Sequence, residues 1–203
     1  MMEKILFGTT NEAKVKQLQG ALAPIGVSVR GVKDKTSLPF VEENGKTAQE
    51  NARKKAITYA QALRTTVLSM DNALYLDKLS SEEQPGLNVR RISAAVAIPS
   101  DSELLDYYSA LIRRFGEKTT GRWEFAICIA TPEGKFEETV IISPRIFTSV
   151  PSPKTVLGYP LESIQIDPST GKYISEMSQG EQDTFWQRAI GQPLQQFIKD
   201  IRL

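Results

Sequence analysis

Polar and charged side chains lie along this chain at positions where they could bind a polyphosphate together with a divalent cation. The apolar run Lys4–Phe7 leads into residues 8–14, a Gly-Thr turn followed by a lysine, and acidic residues come later at Glu42, Glu43 and Asp71. Backbone N–H groups at a turn that opens a helix favour a phosphate group. Mg²⁺ prefers carboxylate oxygens and substrate phosphates as ligands. The pattern therefore favours nucleotide chemistry.

Each of these features also has an ordinary structural interpretation. The turn lacks the longer glycine-rich loop and the Gly-Lys-Thr of a Walker sequence, so on its own it also fits a simple connection between a strand and a helix. The adjacent acids Glu42 and Glu43 fit a solvated loop. Asn51 and Lys55, four residues apart, share one helix face, which either reaches a ligand or is simply the polar side of a helix.

Asp71 is the sharper signal because it follows the apolar run 66–70, which has the pattern of a strand. A carboxylate at the end of a buried strand lies near the sheet edge where α/β proteins bind their ligands. We therefore expect Asp71 to end its strand. Together with Glu43 it would supply hard oxygen ligands suited to Mg²⁺.

The composition limits the chemistry that the chain can perform. It has 203 residues, of which 40% are apolar and 24% charged, with a formal net charge of +1 and no histidine. A near-neutral charge disfavours a general nucleic-acid binder. Without histidine, catalysis has to use carboxylates, lysines, hydroxyl groups or a hard metal ion. The single cysteine, Cys128, lies in the apolar run 125–130 and is expected to be a core residue.

The sequence gives no sign of membrane attachment. It begins with a strand-like segment rather than a basic and apolar leader. No apolar run approaches the roughly 20 residues that span a bilayer. We expect no membrane contact and a cytoplasmic location.

Alternating strand and helix signals predict an α/β fold in a single domain, residues 1–203. The strand Lys4–Phe7, a helix with apolar residues at Val15, Leu18 and Leu22, and a strand over 27–32 would form an opening βαβ unit. Asn11 or Thr10 can cap the helix.

The later elements complete a mixed sheet with a central antiparallel hairpin. Capping boxes at 47–50 and 100–103 predict two helix starts, and the second helix is expected to end near Phe115. The turn 132–135 predicts a hairpin between strands over 122–131 and 136–143. Ser178 opens the last helical stretch, which residues 191–193 should break or kink because they include a proline.

A series of short segments follows one family pattern in order and spacing. Residues 9–14 are similar to T-G-N-x-x-K, residues 42–56 to E-E-x-G-x-T…N-A-x-x-K-A, and residues 70–74 to D-D-S-G-L. Further matches are Pro85-Gly86 with Arg91 (P-G-x-x-x-A-R), Gly158-Tyr159 (F-G-Y-D-P), residues 171–178 (G-K-x-x-x-E-L-S) and Arg188 (S-H-R). Through this series the chain resembles the inosine/xanthosine triphosphate pyrophosphatases, which act on non-canonical purine nucleotides.

The resemblance implies an architecture and a reaction. The fold would be an elongated mixed β-sheet with two α/β lobes flanking a nucleotide cleft, usually in a homodimer. In the presence of Mg²⁺, a nucleoside triphosphate and water would give the monophosphate and pyrophosphate.

The resemblance also implies a role for each matching residue. Glu43 and Asp71 would bind the metal, Asp71 would act as the general base, and Lys14 would assist catalysis beside the phosphates. The expected substrate contacts are Thr9, Thr10, Asn11, Lys14, Asn51, Lys55, Asn72, Gly158, Tyr159, Lys172, Gln187 and Arg188.

The chain departs from the family pattern at several of these positions. Met70 replaces the first aspartate of D-D-S-G-L, which removes a carboxylate near the expected metal, and Asn72-Ala73 replaces Ser-Gly. Residues 157–160 lack the Phe and Asp of F-G-Y-D, and Trp186-Gln187 replaces Ser-His. Because the last two segments recognise the base in the family, we expect an altered base preference.

Three hypotheses follow from the sequence. The first is a Mg²⁺-dependent nucleoside triphosphate pyrophosphatase, which the retained residues Lys14, Glu43, Lys55 and Asp71 favour. The second is a catalytically weak or inactive nucleotide-binding protein on the same scaffold, which the departures favour. The third is a structural dimer without a ligand.

Overall fold

A computed structural model of the protein describes residues 4–33, 36, 38–92 and 99–201. In this part of the chain six strands form one mixed sheet in the order β2-β1-β3-β4-β5-β6. The strands are β1 Lys4–Phe7, β2 Ser28–Gly31, β3 Val67–Leu76, β4 Lys118–Ala130, β5 Phe136–Thr148 and β6 Gln165–Ile166. The α-helices are α1 Glu12–Leu22, α2 Ala48–Leu63, α3 Asp101–Arg113, α4 Gln179–Trp186 and α5 Gln192–Asp200. The predicted mixed α/β fold is confirmed.

The chain opens with the predicted βαβ unit. Strand β1 pairs in parallel with β2, where Lys4 is opposite Ser28, and with β3, where Leu6 is opposite Val67. Helix α1 connects the first two strands and is followed by a short 3₁₀ turn that ends at Gly26, whose φ of 73° lies in the left-handed region. Glycine adopts this conformation without a steric penalty, so the chain reverses there and enters β2.

Strand β3 is longer than the sequence predicts. It runs from Val67 to Leu76, so the expectation that Asp71 ends its strand is wrong. Beyond the polar pair Asp71-Asn72 the side chains of Leu74 and Leu76 are buried again. In addition, Leu74 and Gly86 exchange two backbone hydrogen bonds, of 3.0 and 2.9 Å. These contacts keep the backbone extended past the carboxylate.

The predicted hairpin is present, with longer strands than expected. Strands β4 and β5 have 13 residues each. The turn between them is closed by a 2.9 Å bond from Thr131 N to Lys135 O, and Gly134 in it has a φ of 86°. Cys128 in β4 is buried and free. Its burial raises the pKa of the thiol to about 12, which agrees with a core residue.

The chain divides into two compact units. The first comprises Met1–Asn72, Glu124–Ile142 and Trp186–Leu203, and the second Ala73–Trp123 and Ser143–Phe185. No α-helix in the described ranges is both long and apolar enough to cross a bilayer.

Each unit has its own apolar core. In the first unit, α2 presents a row of small residues, Ala52, Ala56 and Ala60, which are fully buried. Their spacing of four places them on one helix face, and their size lets the helix lie close to the sheet. In the second unit, Tyr108 and Ile112 of α3 pack with a cluster of leucine, isoleucine and phenylalanine side chains.

Helix α2 begins at a capping residue, as the sequence predicts. The side chain of Thr47 accepts a hydrogen bond from Glu50 N at 3.1 Å. The carboxylate of Glu50 accepts from Lys46 N at 2.7 Å, one residue earlier than in a full capping box. A complete capping box is present at Ser100 and Glu103, at the start of α3.

The Thr47 cap gives a test of how α2 is stabilised. We expect Thr47→Ala to lower the free energy of unfolding by about 1 kcal/mol, because one N–H group at the helix start loses its acceptor. Thr47→Ser keeps the hydroxyl group and should stay close to the unmodified protein. Urea unfolding followed by circular dichroism measures both. Equal losses for the two variants would contradict the cap assignment.

Candidate functional site

The turn between β1 and α1 is organised by its own side chains. Thr9 Oγ1 accepts a hydrogen bond from Asn11 N, and Asn11 Oδ1 accepts one from Lys14 N, each at 3.2 Å. Asn11 therefore caps α1, as the sequence predicts. Because the first N–H groups of a helix have no partners within it, this is the end of α1 that suits an anion.

Gly8 allows this turn to lie against α2 and β3. A Cβ atom on residue 8 would be 2.5 Å from the ring of Tyr59 and 2.8 Å from Ser69 Oγ. Any larger residue would therefore displace the turn or its neighbours. The hydroxyl group of Ser69 is buried and has no hydrogen-bond partner among the described residues. No motif in the sequence indicates this hydroxyl group.

The two predicted metal ligands converge on one ammonium group. Lys55 Nζ lies 3.3 Å from Glu43 Oε2 and 3.2 Å from Asp71 Oδ1. The side chains of Lys55 and Asp71 are 11% and 17% exposed, whereas that of Glu43 is 49% exposed. Three residues from a loop, a helix and a strand therefore meet in one partly buried cluster. We call Glu43, Lys55 and Asp71 the acid–lysine cluster.

Asn51 secures the loop that carries Glu43. The residue is 2% exposed, and its side-chain Oδ1 accepts a hydrogen bond from Gly45 N at 2.8 Å. A Cβ atom on residue 45 would be 2.5 Å from that oxygen, so the contact requires a glycine there. Of the two polar residues on this face of α2, Asn51 thus fixes the loop while Lys55 contacts the acids.

The charge of Glu43 also acts on Tyr59, a neighbouring residue on α2. Tyr59 follows Lys55 by one helical turn on α2. Burial, and to a smaller extent the negative charge of Glu43, raise the pKa of its phenol group. The tyrosine therefore stays neutral beside the acid–lysine cluster.

Met70 and Asp71 point to opposite faces of the sheet, as successive strand residues do. Asp71 contacts Lys55 on α2, whereas Met70 lines a small cavity with residues of α1, among them Lys14 and Leu18. The neighbouring Asn72 has a buried Oδ1 without a hydrogen-bond partner in the described chain. A carboxylate at position 70 would accordingly face α1 rather than Lys55.

Gln187 and Arg188 lie in a π-helical turn, Gln187–Gly191, between α4 and α5. The predicted interruption of the last helix is thus confirmed. Pro193 lies just after this turn, in the first turn of α5. The amide of Gln187 donates to Gly20 O at 2.6 Å and accepts from Gln195 at 2.9 Å. Gln187 therefore attaches the π-helical turn to α1, and the exposed Arg188 stands beside it.

The predicted contacts in the second unit lie on separate segments. Gly158 has a φ of 79°, and its N–H group donates to Asp101 at 2.9 Å. Burial raises the pKa of the half-buried Tyr159. Lys172 forms an ion pair with Glu181, and this hydrogen bond is the main reason that the pKa of Glu181 falls to about 2.

The second unit also contains a buried cation that the sequence did not indicate. Arg145 in β5 is 2% exposed, donates to Ser143 Oγ at 2.6 Å and lies 4.4 Å from the centre of the Phe185 ring. Burial raises the pKa of Glu162 to about 7, and the charge of Arg145 acts in the opposite direction. An arginine in a strand resembles a solvent-facing residue, so no signal in the sequence pointed to this burial.

The acid–lysine cluster suits a divalent cation that shares its ligands with a substrate. Its two carboxylates already contact the same positive charge, and Mg²⁺ is usually bound through one or two carboxylates plus substrate phosphates. No group of three or more acidic, histidine or cysteine side chains among the described residues could hold a metal alone. The donor set therefore fits a metal–phosphate complex better than a closed protein site.

Comparisons with known proteins agree with the motif series. The Ham1 family model matches residues 5–199. A protein of an Exiguobacterium species named dITP/XTP pyrophosphatase is 32% identical over 200 residues, which cover 98% of this chain and 96% of that protein.

Solved structures agree as well. The Ham1 protein of Staphylococcus aureus has a TM-score of 0.73 at 20% identity, with 97% of this chain and 98% of that chain covered. A HAM1 protein from Coxiella burnetii has a TM-score of 0.76 at 17% identity, with 99% and 100% covered. These two likenesses support the fold, and the family resemblance predicted from the motifs is confirmed. From the family match over residues 5–199, we conclude that the chain belongs to the Ham1 family.

Proposed function

We propose that this protein hydrolyses nucleoside triphosphates, among them non-canonical purine nucleotides, to the monophosphate and pyrophosphate with Mg²⁺. The observation that carries the proposal is the convergence of Glu43 and Asp71 on Lys55. It brings two hard ligands and a positive charge to one place. The similarity to a protein named dITP/XTP pyrophosphatase supports the substrate class.

The acid–lysine cluster supplies the groups that the reaction needs. Asp71 would orient the attacking water and receive its proton, while the bond from the water oxygen to the α-phosphorus forms and pyrophosphate leaves. Lys55 would stabilise negative charge on the phosphate oxygens. The same role for Lys14, which lies outside the cluster and lines the cavity beside Met70, stays a prediction. Glu43 and Asp71 would hold Mg²⁺, which when bound neutralises phosphate charge and increases the reactivity of water.

The partly buried position of Asp71 suits this role. Its side chain is 17% exposed, and its Oδ1 lies 3.2 Å from Lys55 Nζ, a contact that orients the carboxylate. A fixed acceptor places a water molecule better than a mobile one does, because less motion has to be lost on reaching the transition state. A role towards substrate stays a prediction for each of the other expected contacts: Thr9, Thr10, Asn11, Asn51, Asn72, Gly158, Tyr159, Lys172, Gln187 and Arg188. A homodimer and a cytoplasmic location also stay predictions.

A nucleotide-binding protein with little or no activity is the second candidate. It is favoured by the engagement of the Gln187 amide with Gly20 and Gln195, which leaves this side chain less available for a base. A hydrolysis assay with separate detection of pyrophosphate and orthophosphate distinguishes the two candidates. Pyrophosphate release supports the enzyme, and binding without turnover supports the second candidate.

Asp71→Asn tests the catalytic assignment. We expect pyrophosphate release from ITP or XTP with Mg²⁺ to fall by roughly 100-fold or more, since loss of a positioned base typically costs that much. Asp106→Asn, an exposed change on α3, serves as the control and should retain full activity. Unchanged turnover by Asp71→Asn, or release of orthophosphate alone by the unmodified protein, would contradict the proposal.

Glu43→Gln tests the metal assignment. The variant should need about tenfold more Mg²⁺ for half-maximal activity, equivalent to about 1.4 kcal/mol of lost metal binding. The matched control is Glu42→Gln, which removes the adjacent exposed carboxylate that lies outside the cluster. A Mg²⁺ titration of the initial rate measures all three proteins. Equal shifts for the two variants would show that only the general negative charge of the loop matters.

A further inference from the structure

We infer that Lys55 occupies, in the free protein, the position that a divalent cation takes between Glu43 and Asp71, so that the metal binds strongly only together with a polyphosphate. This inference rests on the proposed function and deepens it. It concerns the order in which the ligands arrive, and the residue that sets this order.

The net charge of the acid–lysine cluster limits its affinity for a divalent ion. Two carboxylates and one ammonium group leave a net charge of −1 within hydrogen-bond or ion-pair distance. No third acidic side chain among the described residues completes a metal-binding group. The affinity of hard cations depends on the number of charged ligands. A cluster with one net negative charge is therefore a weak site for a divalent ion.

Partial burial strengthens the contact between Lys55 and Asp71. Only 11% of the Lys55 side chain and 17% of the Asp71 side chain are exposed, so salt screens their interaction much less than that of an exposed pair. A divalent ion placed between the same carboxylates would repel the ammonium group at close range. The ion can enter only if Lys55 moves aside or if additional negative charge arrives.

A triphosphate removes this conflict. Its oxygens complete the ligand set of the metal, and its negative charge gives the displaced ammonium group a new partner. The Lys55 backbone is fixed inside α2, which spans Ala48–Leu63. Its side chain, however, has a flexible four-carbon stem and three rotatable donors. A rotation of this side chain is enough to exchange the carboxylates for phosphate oxygens.

Direct binding of Mn²⁺ to the full chain, without nucleotide, tests the inference. Electron paramagnetic resonance measures free Mn²⁺ during a titration of the protein. We expect weak binding by the unmodified protein, and binding at least about tenfold tighter by Lys55→Met, in which both carboxylates lose their cation. Adding Glu43→Gln to Lys55→Met should remove the gain.

Lys54→Met is the matched control. Lys54 is the neighbouring residue on α2, and its ammonium group contacts the side-chain amide of Asn44 rather than a carboxylate. Its replacement changes the net charge equally but leaves the cluster intact. Its Mn²⁺ affinity should equal that of the unmodified protein. A gain equal to that of Lys55→Met would overturn the inference, because net charge alone would then explain the result.

Two further measurements keep the test decisive if Lys55→Met is unstable. Removing one partner of a partly buried ion pair destabilises a protein, and a ligand that binds only the folded state restores stability. The Tm of Lys55→Met should therefore fall without metal and rise again with Mn²⁺, while the Tm of the unmodified protein changes little. Lys55→Arg keeps the positive charge and should bind Mn²⁺ as weakly as the unmodified protein.

The outcomes separate this inference from the proposed function. Tight Mn²⁺ binding by the unmodified protein or by Lys55→Arg, or no gain in Lys55→Met, overturns the inference even if the unmodified protein releases pyrophosphate. The expected Mn²⁺ affinities in a protein that releases no pyrophosphate would support the inference and contradict the proposed function.

Discussion

One ammonium group determines how the candidate site is arranged. Glu43 and Asp71 carry like charges, and two carboxylates that share one partly buried place destabilise each other unless a cation lies between them. Lys55 provides that cation, at 3.3 and 3.2 Å. The helix, the loop and the strand that contribute these residues are therefore held together by a charge that the chain itself supplies.

Small residues make this meeting of three elements possible. Gly8 lets the turn between β1 and α1 lie beside Tyr59 and Ser69, and Gly45 lets the loop that carries Glu43 reach the side chain of Asn51. A buried row of alanines brings α2 close to the sheet. The chemistry depends on side chains that could bind a ligand, but the distances between them depend on residues that have almost no side chain.

Much of this arrangement could be predicted from the sequence. Apolar spacing predicted the βαβ unit and the hairpin, and motif order predicted that Glu43 and Asp71 belong together. The length of β3 was missed because two polar residues in succession resemble a strand end. The strand continues beyond them because Leu74 forms a bridge with Gly86, a contact that local patterns do not reveal. The same limit applies to the buried Arg145, which packs against the ring of Phe185 from a distant part of the chain.

The buried thiol of Cys128 has a practical consequence. Covalent labelling and oxidation proceed through the thiolate form, and burial, which raises the pKa of this group to about 12, leaves almost none of it at neutral pH. Since the chain has a single cysteine, we expect the folded protein to react very slowly with maleimides and similar reagents. A cysteine introduced on an exposed surface would be the one reactive thiol. A fluorescent or paramagnetic probe could thus be attached at a chosen point without first removing the natural residue.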